Sequence, residues 1–144
     1  MKRVIFTGRL PIADVVHAYG RCGVLGMPSC VETREPGFWS GEGFGIVYIE
    51  AAACGRPVIA STDGGVPETL IPNVTGLLVN PLEPDDVADA IARILHDQAA
   101  ADEMEQRGRA FVIRTFARQV FESHIRDLGD SFTRTVTSNE TAGL

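Results

Sequence analysis

The sequence predicts an α/β fold in which a parallel sheet is covered by helices on both faces. Short apolar runs alternate with segments of helical spacing along most of the 144 residues. The runs at Val24–Met27 and Pro57–Ala60 are continuously apolar or small, which is typical of strands buried on both faces. The segments between such runs are long enough for the crossover helices that parallel strands require. The length of the chain favours one domain.

The first part of the chain contains the least regular of the predicted segments. It predicts, in order, a strand over 3–7, a helix over 12–22, a buried strand over 24–27 and a long irregular loop over 29–41. Gly8 ends the first strand and Pro28 the second. Loops as long as 29–41 are often functional, but nothing in its residues indicates what this one contacts.

The second part alternates strands and helices more regularly. It predicts a helix over 45–54, a strand over 57–60, a short helix that Pro72 ends, a strand over 76–79 and helices over 85–97, 99–115 and 116–128. Residues after Phe132 are small and polar. We therefore expect one domain over 1–132 and a disordered tail over 133–144.

A glycine-rich segment from Ser40 to Gly55 is the most informative stretch of the sequence. Three glycines between Gly41 and Gly45 allow a tight turn and a close approach of the backbone to a ligand. The helix that follows places free N–H groups at the positive end of its dipole, which suits a phosphate. Glycine-rich turns before helices are common, however, and most of them bind nothing.

Glu50 lies in that helix among residues that are apolar except for Tyr48. A helix that is apolar nearly all round should be buried, and a buried carboxylate is costly without a partner. We therefore expect a partner for Glu50, either a ligand hydroxyl, a neighbouring helix end or a structural arginine.

Composition excludes several classes of function. The formal net charge is −6 and no run of lysine or arginine is present, which argues against nucleic-acid binding through a basic surface. No apolar run is long enough to span a membrane, and the N-terminus lacks the apolar core of a signal peptide. The three cysteines (Cys22, Cys30 and Cys54) have no zinc-type spacing, and we interpret them as reduced thiols of a cytoplasmic protein.

Several motifs resemble, in the right order, the C-terminal domain of family 4 retaining glycosyltransferases. Glu42 and Glu50 stand eight apart, as in the E-x7-E region of that family. The other matching segments are Val-Ile-Phe-Thr-Gly-Arg-Leu at 4–10, Val-Leu-Gly-Met-Pro-Ser at 24–29, Gly-Gly-Val-Pro-Glu at 64–68 and Gly-Leu-Leu-Val-Asn-Pro at 76–81. The resemblance covers residues 3–128, and it implies a Rossmann-like domain that is an incomplete C-terminal half of a GT-B glycosyltransferase.

The resemblance implies a role for each matched residue. Glu50 would accept hydrogen bonds from the ribose hydroxyls of a nucleotide-diphosphate sugar such as a UDP- or GDP-sugar. Glu42 would be the catalytic-site glutamate that contacts hydroxyls of the transferred sugar. The remaining positions would contact the donor through the diphosphate or sugar (Gly43, Phe44, Gly45 and Ile46) or near the base (Arg9 and Leu10). Arg9 could instead pair with a surface acid, and Phe44 could simply pack.

The resemblance also implies missing parts. We expect that the chain lacks the family's N-terminal domain, two central strands of the C-terminal domain and the loop whose arginine and lysine neutralise the diphosphate. A partner would then be that domain or a chain that supplies it, with peripheral membrane association through the absent domain. Either Val4–Thr7 pairs with Val24–Met27 to close the sheet, or the exposed strand edges make the chain prone to aggregation.

Three functional hypotheses remain open on the sequence alone. The first is the donor-binding part of a retaining glycosyltransferase, and the second is an inactive module that binds nucleotide weakly. The third is a structural or interaction domain in which Glu50 is a satisfied core residue. We expect no metal, because no Asp-x-Asp pair ends a strand and Asp85-Asp86 are suited to a helix start. We also expect no cofactor beyond the donor substrate.

Overall fold

The computed structural model describes residues 4–35 and 38–141, without the side chains of 32–35, 38–40 and 133–141. Its helices and strands follow in this order: α1 (Ile12–Arg21), β1 (Leu25–Met27), β2 (Glu32–Glu35), β3 (Phe38–Ser40), α2 (Ile46–Ala53), β4 (Val58–Ser61), a 3-10 helix (Val66–Thr69), β5 (Leu77–Val79), α3 (Pro84–His96), α4 (Gln98–Phe116) and α5 (Arg118–Thr141).

A three-stranded parallel sheet organises the fold. β4 lies in the centre, with β1 on one side and β5 on the other. Leu25 pairs with Val58, and Ile59 pairs with Leu77. The predicted parallel α/β architecture is confirmed, and its strand positions agree closely with the apolar runs of the sequence.

The two faces of the sheet carry two separate hydrophobic clusters. Val58 and Ala60 of β4 pack with Tyr19 of α1 and Tyr48 of α2. Ile59 packs on the opposite face with residues of β5, α3 and α4, namely Leu77, Val79, Ala90, Ile94, Ala101 and Met104. Because side chains alternate along a strand, one buried strand serves both layers. The prediction that helices cover both faces is therefore confirmed.

The predicted strand at 3–7 is not formed over its described residues, 4–7. These residues adopt no regular structure. Val4, Ile5 and Phe6 are 63%, 83% and 94% exposed. A strand needs a hydrogen-bonded neighbour, and the described strand at this side of the sheet, β1, pairs only with β4. The closed-sheet expectation, in which this segment pairs with β1, is therefore wrong.

The predicted loop over 29–41 contains a hairpin. β2 and β3 pair antiparallel, with Glu32 opposite Ser40 and Thr33 opposite Trp39. The sequence signals were present, because Thr33 and Trp39 favour strands and Pro36-Gly37 is a turn dipeptide. Residues 36 and 37 lie outside the described part of the chain.

The last helix is longer than predicted. α5 continues to Thr141, so the backbone is helical over 133–141, where the sequence predicts part of a disordered tail. Its apolar face is present at the expected spacing, but Phe121, Ile125 and Leu128 are 65%, 53% and 64% exposed.

Candidate donor-binding site

The glycine-rich loop ends in a backbone conformation that glycine favours. Gly45 caps α2 with φ +86°, in the left-handed region. A Cβ at this position would collide with the ring of Tyr48. Gly45 thus lets the chain turn into α2 while the buried Tyr48 ring lies against its backbone. At the other end, Gly55 has φ +71° and its N–H donates to the carbonyl of Ala52, so the helix ends there.

Tyr48 connects the helix under this loop to the sheet. Its side chain is fully buried, and its hydroxyl donates to the carbonyl of Met27 at the end of β1. Burial raises the pKa of Tyr48, and the charge of Glu42 adds to the effect. The hydroxyl is therefore a neutral donor, and it fixes the start of α2 relative to the strand end.

Two other loops meet the glycine-rich loop at the carboxyl ends of the strands. After β4, a Cβ on Gly64 or Gly65 would collide with the carbonyl of Glu42 or Gly43. After β1, the N–H of Val31 donates to Asp63 Oδ2 at 3.2 Å. The loops after β1 and β4 and the glycine-rich loop therefore share one edge, which is where open parallel sheets bind ligands.

Glu42 is half-buried and belongs to the loop itself. Its Oε1 accepts a hydrogen bond from the backbone N–H of Gly45 at 3.0 Å. That N–H was expected to face a diphosphate or sugar, so in this structure the carboxylate occupies one of the donors assigned to the ligand. By the geometry of a helix start, the N–H groups of Ile46 and Val47 have no intrahelical partner, whereas that of Tyr48 donates to the carbonyl of Gly45 at 3.0 Å.

Glu50 is exposed, contrary to the prediction of a buried carboxylate. α2 leaves one stripe uncovered, with Ile46 64% exposed and Ala53 also exposed. Ile46, Glu50 and Ala53 follow each other at the spacing of one helix face. One face of α2 is therefore exposed although the sequence of the helix is mostly apolar, and Glu50 lies at the centre of that face.

The partner of Glu50 in the structure is Tyr19 of α1, which is none of the three kinds of partner expected from the sequence. The Tyr19 hydroxyl donates to Glu50 Oε2 at 3.0 Å. Burial raises the pKa of Tyr19 to about 12, and the hydrogen bond and charge of Glu50 act in the same direction. The sequence signal was its position on the inner face of α1, four residues after Val15.

A groove of about 240 Å³ runs between α1 and α2 beside this pair. It is lined by Ile12, Val15, Val16, Tyr19, Glu50, Ala53 and Cys54. Arg9, which is exposed, and Leu10, which is half-buried, lie just before Pro11, the N-cap of α1. The structure thus brings Glu42, Gly43, Gly45 and Ile46 together in one loop, and connects Glu50 to the helix that follows Arg9 and Leu10.

The side chain of Phe44 packs against another aromatic ring. Its ring meets that of Phe116 at the end of α4 in an edge-to-face contact, with centroids 5.9 Å apart. The alternative that the Phe44 side chain packs is confirmed, which leaves its backbone as the part available to a ligand.

A second cleft, of about 220 Å³, opens between the segment before β5, α3 and α4. Asn73, Arg93 and Arg107 line it. Because Asn73 precedes β5, this cleft lies toward the amino ends of the strands, away from the glycine-rich loop.

Within the described residues there is no group of three or more His, Cys, Asp or Glu side chains placed to hold a metal ion. The three cysteines are free thiols. Among the described helices, none combines the length and the apolar character needed to cross a bilayer.

Comparison with solved structures supports the same architecture. The chain superimposes on sucrose-phosphate synthase from Thermosynechococcus elongatus with a TM-score of 0.72 and 36% identity, over 94% of this chain and 31% of that one. Anabaena HepE, solved in complex with UDP and glucose, gives a TM-score of 0.70 and 25% identity, over 83% and 30% of the two chains. Both have the GT-B architecture, of which this chain forms one α/β part.

Curated relatives match over most of the chain. A GDP-mannose-dependent monoacylated alpha-(1-6)-phosphatidylinositol monomannoside mannosyltransferase of Corynebacterium glutamicum is 35% identical over 127 residues, which are 88% of this chain and 32% of that protein. A GDP-mannose-dependent alpha-(1-6)-phosphatidylinositol monomannoside mannosyltransferase of Mycobacterium tuberculosis is 38% identical over 133 residues, 91% of this chain and 34% of that protein. The chain spans about a third of the length of these relatives.

The family description that matches is "Glycosyl transferases group 1", over residues 1–111. This match covers most of the chain and includes the glycine-rich loop, both glutamates and the two glycines at 64 and 65. The chain therefore belongs to the group 1 family of glycosyl transferases.

Proposed function

We propose that this chain is the donor-binding part of a glycosyltransferase that transfers a sugar from a nucleotide-diphosphate sugar to an acceptor with retention. In this reaction the bond between the sugar C1 and the diphosphate oxygen breaks, and a bond from C1 to an acceptor oxygen forms on the same face. The acceptor hydroxyl gives up its proton as the new bond forms, and the leaving diphosphate, which carries the developing negative charge, takes it up. The chain's task is to hold the donor while this happens.

The observation that carries the proposal is that complementary groups lie on the glycine-rich loop and on the helix that follows it. The start of α2 offers backbone N–H groups and a positive dipole end, which suit a diphosphate. Glu42 lies in the same loop, and Glu50 lies on the open face of α2. Carboxylates accept hydrogen bonds from sugar hydroxyls. One ligand with both phosphates and hydroxyls matches both kinds of group.

Each part of the donor has a corresponding group. Glu50 accepts from the ribose hydroxyls, and Glu42 contacts the transferred sugar. The backbone N–H groups of the loop and first helical residues meet the diphosphate or sugar, and these belong to Gly43, Phe44, Gly45 and Ile46. Arg9 and Leu10 lie near the base, ahead of α1.

Guanine is the first base to test in the donor nucleotide. Both curated relatives described above are named as GDP-mannose-dependent, whereas the structural neighbour HepE was solved with UDP. The sequence matches to the former are longer and closer in identity than the match to HepE. The acceptor side of the reaction belongs, in this proposal, to the part of such proteins that this chain does not span.

The second candidate is a module that binds nucleotide without turnover. The position of Glu42 supports it, because its carboxylate occupies the backbone N–H of Gly45 at 3.0 Å and its negative charge opposes a diphosphate at the loop. Both candidates predict a nucleotide at the same edge, and they differ in whether sugar transfer follows.

Calorimetric titration of the purified chain with GDP and UDP tests the shared claim. Glu50→Ala should abolish or strongly weaken binding, because it removes the acceptor for the ribose hydroxyls. Glu103→Ala is the matched control, since Glu103 is 66% exposed on α4 and pairs only weakly with Arg107. Binding that Glu50→Ala leaves intact would contradict the assignment, and sugar transfer from a GDP- or UDP-sugar would separate the two candidates.

A further inference from the structure

We infer that Tyr19 is a positioning residue for Glu50: its hydroxyl holds one carboxylate oxygen so that the other faces the ribose hydroxyls of the donor. This inference rests on the proposed function, and it adds a residue from a different helix to that site. Tyr19 lies on α1 and Glu50 on α2, so the contact fixes the glutamate from across the groove.

The geometry supports a positioning role. The Tyr19 hydroxyl donates to Oε2 of Glu50 at 3.0 Å. Tyr19 itself is only 9% exposed and packs in the same cluster as Tyr48 and Ala51. A packed aromatic side chain has few accessible rotamers, whereas an exposed glutamate has many. The hydrogen bond to the packed Tyr19 therefore restricts the rotamers of the exposed Glu50 side chain.

The chemistry of the pair leaves a free acceptor for the ligand. An ionised carboxylate has two oxygens and about four acceptor sites, and Tyr19 uses one of them. Because the carboxylate is planar, holding Oε2 also fixes the position of the second oxygen, Oε1. Because burial raises the pKa of Tyr19 to about 12, the tyrosine remains a neutral donor through the pH range of ordinary binding experiments.

A role in packing alone predicts something different. Tyr19→Phe keeps the ring in the core and removes only the hydroxyl, which leaves Glu50 in place but unfixed. If Tyr19 mattered only for packing, this variant would change stability and leave the recognition of the ribose hydroxyls unchanged. The preference for GDP over 2′,3′-dideoxy-GDP measures that recognition, and as a ratio it does not depend on the folded fraction.

The test is titration of the full chain with both nucleotides, in the wild type, Tyr19→Phe, Glu50→Gln and the double variant. We expect Tyr19→Phe to lower the ribose preference about threefold to tenfold, the effect of one hydrogen bond. The double variant should lose little more than Glu50→Gln, because both changes act through one group. Leu25→Val, which trims a residue packed against the same cluster, should leave the preference unchanged.

The outcomes distinguish this inference from the proposed function. A ribose preference that falls with Glu50→Gln but not with Tyr19→Phe would overturn the positioning role and leave the donor site standing. A wild-type chain with no ribose preference would overturn the proposed role of Glu50, and the positioning role with it. A fall with Leu25→Val equal to that with Tyr19→Phe would assign the effect to packing.

Discussion

Glu42 and Gly45 form a closed turn in which the carboxylate of the first accepts the backbone N–H of the second at 3.0 Å. The residue proposed to contact the transferred sugar is thus tied to the loop proposed to bind the diphosphate. A nucleotide-diphosphate sugar that binds the N–H of Gly45 must displace the carboxylate of Glu42 from it. The negative charge of Glu42 therefore opposes phosphate binding at the same place where it offers an acceptor to sugar hydroxyls.

Glu42→Gln should tighten the binding of GDP by about threefold, or roughly 0.6 kcal/mol, because it removes a negative charge near the diphosphate. The amide oxygen of glutamine can still accept from Gly45, so the loop should keep its shape. Calorimetric titration with GDP measures the effect. Weaker GDP binding by this variant, at unchanged thermal stability, would argue against a phosphate at the loop.

Gly45→Ala should destabilise the chain by about 2–4 kcal/mol, because alanine is strained at φ +86° and its Cβ would collide with the Tyr48 ring. Gly43→Ala is the matched control in the same loop, since a Cβ there has no neighbouring atom within 4 Å. It should change the free energy of unfolding by less than about 0.5 kcal/mol. Urea unfolding followed by circular dichroism compares the two, and equal losses would contradict the described loop conformation.

Polar substitution of the N-terminal segment, as in Ile5→Asn with Phe6→Ser, should leave the free energy of unfolding of the chain unchanged within about 0.5 kcal/mol. Both side chains are more than four-fifths exposed in the structure. The variant should also aggregate less, because exposed apolar patches promote association. A loss of about 2 kcal/mol or more in urea unfolding would show that the segment is buried in a sheet after all.

The stability of the chain should fall as pH rises from about 10 to about 12, and it should fall less in Tyr19→Phe. The pKa of Tyr19 rises from its ordinary value of 10.0 to about 12 in the folded chain. The folded state then holds a proton that the unfolded state has lost, so this stabilisation is complete below pH 10 and disappears above 12. Tyr48, whose pKa is also raised, contributes in the same direction in both proteins. Melting temperatures across this range measure the difference, and identical pH profiles for the two proteins would contradict it.

Much of the fold could be predicted because its local signals agree with its packing. Continuous apolar runs identified β1, β4 and β5, and Gly45 and Gly55 bounded α2 at the positions where their backbone angles are left-handed. The prediction at 3–7 failed because apolar residues form a strand only beside a partner strand. A single sequence shows the strand propensity of that segment, but it does not show whether another strand lies beside it.

The candidate site could be predicted only in part, because sequence motifs indicate residues but not their tertiary contacts. The motif spacing indicated Glu42 and Glu50 as site residues, and the structure places Glu42 in the glycine-rich loop and Glu50 on the helix that follows it. It did not reveal that Glu50 lies on the exposed stripe of α2, because that stripe is as apolar in sequence as the buried one. Tyr19 could not be assigned to Glu50 from sequence, since the contact depends on how α1 packs against α2.

The most direct test of the donor site is to map where a nucleotide binds, by following the backbone amide resonances of the chain during titration with GDP. The largest shifts should occur at Gly43, Gly45 and Ile46 in the glycine-rich loop and at Glu50 on α2. Shifts confined to the second cleft, around Asn73, Arg93 and Arg107, would contradict it, as would a titration in which the loop amides do not move.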